Sequence, residues 1–146
     1  MEELIKNSKS QDWDQKKRYL ARYKKNLALI DRLNKKINRL DERSESLKSP
    51  NYSGMPRGGT PVTSYDIKDE KVDLEKRVQK LKDKGEVLKE EIIDAIDTLE
   101  DPRYADVLEY FFIDCMDLSE IADIMDYSVR HIKTLYSDGI NSISLP

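Results

Sequence analysis

Residues 117–139, DLSEIADIMDYSVRHIKTLYSDG, carry two short apolar patterns separated by a break at Asp126-Tyr127-Ser128. Leu118, Ile121, Ala122 and Met125 form the first, Tyr127 follows, and Ile132, Leu135 and Tyr136 form the second. Both have the three-and-four spacing of a helix that buries one face. The break itself carries turn and start chemistry. Asp126 is of a type that tolerates left-handed backbone angles less well than Gly but better than most. Ser128 suits the N-cap of a second helix, where its hydroxyl accepts an otherwise unpaired N–H. Ala122 supplies a small side chain where two helices cross closely. The stretch therefore predicts a helix-turn-helix.

Immediately upstream, Asp101-Pro102 reads as a helix start, with Asp101 as cap and Pro102 in the first turn, where its missing N–H costs nothing. Tyr104, Val107, Leu108, Phe111 and Phe112 then fall at helical spacing, giving a packing helix behind the helix-turn-helix. Phe111, Phe112 and Cys115 are expected in its core, together with Ile121, Met125, Ile132 and Leu135. Residues 101–146 thus form one expected domain.

Residues 1–100 have a different pattern. Trp13, Leu20, Tyr23, Leu27, Ile30, Leu33, Ile37, Leu40 and Leu47 repeat by threes, fours and sevens without an intervening Gly or Pro. They predict one long helix over about 12–48 with a single apolar seam, preceded by a frayed start over residues 1–10. Ile67, Leu74, Val78, Leu81, Gly85, Leu88, Ile92, Ala95 and Leu99 give a second seam over about 65–100, with a heptad alternation from residue 74 onward. Gly85 sits on that seam, where it weakens the helix by about 1 kcal/mol relative to Ala but permits close approach of a bulky neighbour. Between the arms, residues 49–64 (SPNYSGMPRGGTPVTS) concentrate three prolines and three glycines and predict a loop. Gly54 to Gly59 superficially resembles a phosphate loop. It lacks a Lys at position 60 and follows a helix instead of a strand, which excludes a nucleotide site. The two seams most simply pair as an antiparallel helical hairpin, with pairing between chains as the alternative. The expected fold class is all-α: a hairpin followed by a helix-turn-helix domain.

Composition agrees with exposed amphipathic helices. The 146 residues are 38% charged with a net charge of −3, and the mean hydropathy is −0.76, so little of the chain can lie in a large core. No run approaches the roughly 18 apolar residues of a membrane span, and MEELIKNSKS has no apolar signal core. Those features and the single Cys115 point to a cytoplasmic protein without a disulfide. The net charge conceals a gradient. Residues 1–48 hold 14 Lys/Arg against 8 Asp/Glu, residues 49–96 hold 9 against 10, and residues 97–146 hold 3 against 11. The basic end is the far end in sequence from the helix-turn-helix, which is an objection to a DNA-binding reading because phosphate neutralisation usually dominates such affinity. Lys16, Lys17, Arg18, Arg22, Lys24, Lys25, Lys35, Lys36 and Arg39 on the first arm read either as a solvated exterior or as a basic face for nucleic acid or an acidic partner.

Catalysis finds no support. One His, one Cys and no clustered ligand spacing leave neither a usual metal site nor a nucleophile–base pair, so no cofactor is expected. In a helix-turn-helix the second helix enters the major groove with its N-terminal residues at base edges. Ser128, Arg130, His131, Lys133, Thr134 and Ser137 are the expected DNA-contacting residues. Arg130 has the fork that matches guanine O6 and N7, and Lys133 and Thr134 suit phosphate or mixed contacts. His131 is equally an ordinary surface residue.

From Tyr104 to Ile143 the chain resembles sigma-70 region 4, with VLEYFF, then the Glu-Ile-Ala of residues 120–122, then a Ser-started recognition helix. Over most of its length it is similar to the ArpU/RinA-type late transcription regulators of phages and prophages of Gram-positive bacteria, including the SPNYSGMPRG-like loop at Ser49–Gly58. Asp126 stands where that pattern usually has Gly. The resemblance implies a DNA-binding regulator, an activator of late genes in a bacterial host. Its partners would be double-stranded promoter DNA and RNA polymerase, with the arms forming a homo-dimer. Two alternatives stand beside it. One is a coiled-coil interaction module that reads no DNA. The other is a small terminase component, although such proteins usually place the DNA-binding domain before the oligomerisation helices.

Overall fold

The computed structural model describes residues 2–47 and 64–146, and among these the chain is all-α, with six helices and no strand. The helices are α1 (Glu2–Leu20), α2 (Arg22–Leu47), α3 (Ser64–Asp97), α4 (Pro102–Phe112), α5 (Leu118–Met125) and α6 (Val129–Ser142). The expected loop 49–64 lies outside the described residues up to Thr63. Two expectations for the first arm are corrected. Residues 2–10 already belong to α1, and the single helix over 12–48 is two segments interrupted at Ala21. The interruption is slight, since Ala21 still donates to the Lys17 carbonyl (2.9 Å) and accepts from Lys25 (3.0 Å). Around it Tyr19, Leu20, Ala21 and Tyr23 pack into one apolar cluster, and the Arg22 Nε donates to the Tyr19 carbonyl at 3.0 Å.

The chain forms two compact units, Met1–Asn26 with Gly85–Pro146, and Leu27–Lys84. They follow packing, whereas the division expected at residue 100 follows sequence pattern. In the second unit α2 and α3 lie side by side in opposite senses. Ile30, Leu33, Ile37 and Leu40 of α2 are buried against Ile67, Leu74 and Val78 of α3, with Leu81 partly buried beside them. The Lys71 ammonium reaches the Asp41 carboxylate at 2.6 Å, a hydrogen bond that raises the Lys71 pKa above its ordinary value. Buried aliphatic side chains supply most of the cohesion here, about 25 cal/mol for each Å² withdrawn from water, because exposed ion pairs contribute little.

The first unit has two apolar clusters. Leu20, Ile92, Ile96, Leu108, Phe112, Ile113, Ile140 and Ile143 form one, joining α1, the C-terminal part of α3, α4 and the end of α6. Val107, Ile121, Ala122, Ile132 and Leu135 form the other, joining α4, α5 and α6. Phe111 and Tyr136 touch both clusters, with ring centroids 4.8 Å apart. Gly139 is the close-approach position of α6. A Cβ there would come within 3.3 Å of both Leu108 and Tyr104.

One core expectation fails. Cys115 is exposed, not buried, because the chain turns back after α4 with Cys115 at a positive φ of 57°. Ile113 takes the inward position instead.

Candidate nucleic-acid interface

Local hydrogen bonding fixes the α5–turn–α6 unit. Asp117 caps α5, its carboxylate accepting from the Glu120 N–H at 2.8 Å. At the other end Asp126 adopts φ 59° and ψ 44°, the left-handed region. The Tyr127 N–H then closes back on the Ala122 carbonyl at 3.0 Å, the wider loop of a left-handed helix end. Ser128 caps α6, its Oγ accepting from the His131 N–H at 3.1 Å. Ala122 is buried where α5 meets the cluster of Val107, Ile132 and Leu135.

With Ile132, Leu135, Gly139 and Ile140 buried and Tyr136 half-buried, the helical period sends the other side chains at the start of α6 outward. Ser128, Arg130, His131, Lys133 and Thr134 are all exposed. Thr134 Oγ1 donates to the Arg130 carbonyl at 3.2 Å. The His131 ring stacks on Tyr127, with centroids 4.7 Å apart and planes 24° from parallel. Ser137 is placed differently. It is half-buried, and its carbonyl accepts from the Trp13 indole N–H at 3.2 Å.

No family model, no curated protein and no solved structure matches this chain.

The electrostatics of the unit narrow its cations to two. Of the three Lys/Arg in residues 97–146, Arg103 is engaged by Asp101, at 2.9 Å from Nη2 and 3.2 Å from Nε, while Asp101 also accepts from the Arg103 N–H at the α4 cap. The guanidinium beside Asp101 holds its carboxyl below the usual range, and Arg103 is raised in turn. Arg130 and Lys133 have no carboxylate within 4 Å among the described residues. Glu109 on α4 has its pKa raised, first by desolvation and then by Asp114, Asp97 and Asp106. Burial raises Tyr136.

Sequence pattern held no sign that α1 lies against α6. Trp13 packs edge-on to Tyr136, with centroids 6.3 Å apart, and Lys16 Nζ reaches the Asn141 carbonyl at 2.8 Å. Both contacts advance in the same direction along the two helices, so α1 and α6 run in the same sense where they touch. Lys17 lies over the Trp13 ring at 5.3 Å, and Lys24 of α2 over Phe111 at 3.8 Å. The arrangement offers exposed donors on α6 and brings cations of α1 to the same unit. Among the described residues no group of three or more His, Cys, Asp or Glu is placed to hold a metal ion. No helix among them is long and apolar enough to cross a membrane.

Proposed function

We propose that this chain is a transcription regulator of the phage or prophage type, an activator of late genes, which reads double-stranded promoter DNA through α6. The observation that carries the reading is the outer face of α6. A hydroxyl-capped start presents Arg130, His131, Lys133 and Thr134 together, while Ile132 and Leu135 anchor the opposite face. Arg130 and Lys133 are available to an incoming ligand, and an Arg near the start of a recognition helix is suited to bidentate contact with guanine. Placement of α1 against α6 supports the same reading, because α1 carries the exposed Lys9 and Lys17 into the same unit, while Lys16 is already held by Asp12 and the Asn141 carbonyl. RNA polymerase as a partner and a dimer through the arms belong to this proposal.

A second reading, a protein-interaction module that reads no DNA, is favoured by the 11 Asp/Glu against 3 Lys/Arg of residues 97–146. Selection of bound duplexes from a random pool, followed by anisotropy titrations across salt concentrations, separates the two. The DNA reading expects an enriched sequence and a loss of about 1–3 kcal/mol of discrimination at one position in Arg130→Ala. A pool that enriches nothing, or discrimination unchanged by Arg130→Ala, favours the interaction module.

A further inference from the structure

In the unit Leu27–Lys84, a groove of about 480 Å³ lies between α2 and α3. Its lining joins Leu29 and Leu81 with Arg32 and Lys36 on the α2 side and Arg77 and Lys80 on the α3 side, and it includes no carboxylate. Leu29 is 51% exposed, off the buried seam that runs through Ile30 and Leu33. None of the four cations has a carboxylate within 4 Å among the described residues. Other lysines on these helices do. Lys35 meets Asp31 at 3.0 Å, and Lys71 meets Asp41. Like charges one helical turn apart repel, so four of them around an exposed leucine form a face that favours a counter-charged occupant.

We propose that this groove docks an acidic amphipathic helix of another protein. Two packed helices leave a longitudinal furrow that a third helix can fill, as in a helical bundle. Apolar residues of the incoming helix cover Leu29 and Leu81. Its carboxylates, about 5–6 Å apart at three- or four-residue spacing, match the spacing of Arg32 with Lys36 and of Arg77 with Lys80. Leu29 decides between kinds of polyanion. A nucleic-acid backbone has no apolar group to cover it, whereas an amphipathic helix does. The proposal rests on this unit alone and does not depend on what α6 reads.

The test uses the full chain and a fluorescent helical peptide of about 20 residues, long enough to hold a helix, with leucines at three-and-four spacing and glutamates elsewhere. The comparison ligands are the same peptide with lysines for glutamates, a poly-glutamate without leucines, and a DNA duplex. The acidic amphipathic peptide is expected to bind in a salt-dependent manner. Arg32→Glu with Lys36→Glu, which leaves Arg77 and Lys80 against two glutamates, weakens it at least about tenfold and removes its preference over the lysine peptide. Leu29→Ser, which leaves every charge in place, also weakens it, and circular dichroism reports unchanged helix content in each variant. The proposal is overturned if the peptide fails to bind, if poly-glutamate binds as tightly, if the charge reversal leaves binding unchanged, or if the duplex alone is held by these cations.

Discussion

At position 85 the missing side chain is a packing requirement. A Cβ on Gly85 would lie 2.6 Å from Asn26 Nδ2 and 3.8 Å from a Tyr23 ring carbon. Asn26 is 4% exposed, so its amide can move aside only by disturbing a filled interior. Gly85→Ala gains about 1 kcal/mol of helix propensity against an overpacking cost of typically 1–3 kcal/mol. The expected result is a net loss of about 1 kcal/mol in chemical denaturation. The double variant with Asn26→Ala is expected to lose less than the two single losses added together. Asp126 is the opposite case, a backbone requirement met by a second-best residue. Because it sits at φ 59°, Asp126→Gly should stabilise by about 0.5 kcal/mol, and Asp126→Val should destabilise by at least about 1 kcal/mol. Equal stabilities for these two variants would refute the assignment of strain to this turn.

Among the elements, α1 shows what periodicity can and cannot reveal. Leu33, Ile37, Leu40, Leu74, Val78 and Leu88 are buried and were readable as inward positions, because a helix repeats its faces at a fixed interval. The caps at Asp101 and Ser128 and the left-handed Asp126 were readable because they involve residues within five positions of one another. Trp13 has the same spacing as the seam, yet its partner Ser137 lies 124 residues away. An apolar spacing identifies a face and leaves its partner unnamed. The exposure of Arg130, His131, Lys133 and Thr134 follows from spacing, but the half-burial of Ser137 depends on that distant tryptophan. Trp13→Ala is accordingly expected to cost about 1–2 kcal/mol and to raise amide exchange in α1 more than in the Leu27–Lys84 unit. In α4, Glu109 carries a raised pKa from desolvation and neighbouring carboxylates. A folded-state pKa above the unfolded value means that the native state binds the proton more tightly. Stability therefore falls as pH rises from the ordinary glutamate range through the raised value. Glu109→Gln should raise the melting temperature at neutral pH, and this advantage should fade in acid. An advantage that is constant with pH would point to packing in place of charge.

For the whole molecule, the charge gradient along the chain reads differently once the first unit is folded. The acidic 97–146 segment offers α6 only Arg130 and Lys133 as cations without a carboxylate partner among the described residues, too few for phosphate-driven affinity. The N-terminal helix α1, remote in sequence and carrying five Lys/Arg against four Asp/Glu, lies beside α6 through Trp13 and Lys16. Because the two helices run in the same sense there, Lys9, one turn before Trp13, is carried toward the Lys133 end of α6. Lys9 and Lys17 are both exposed. If α6 reads base edges and these lysines reach the flanking phosphates, the two groups should fail differently. Lys9→Ala with Lys17→Ala should weaken selected and unselected duplexes by similar factors and flatten the salt dependence by about 0.9 for each phosphate that is no longer neutralised. Arg130→Ala should leave most of that slope and lose preference for one base pair. Anisotropy titrations of both variants on both duplexes, across a series of salt concentrations, measure the two effects separately. A double lysine variant with an unchanged slope would remove α1 from the interface and leave a second copy or a protein partner to supply the missing charge.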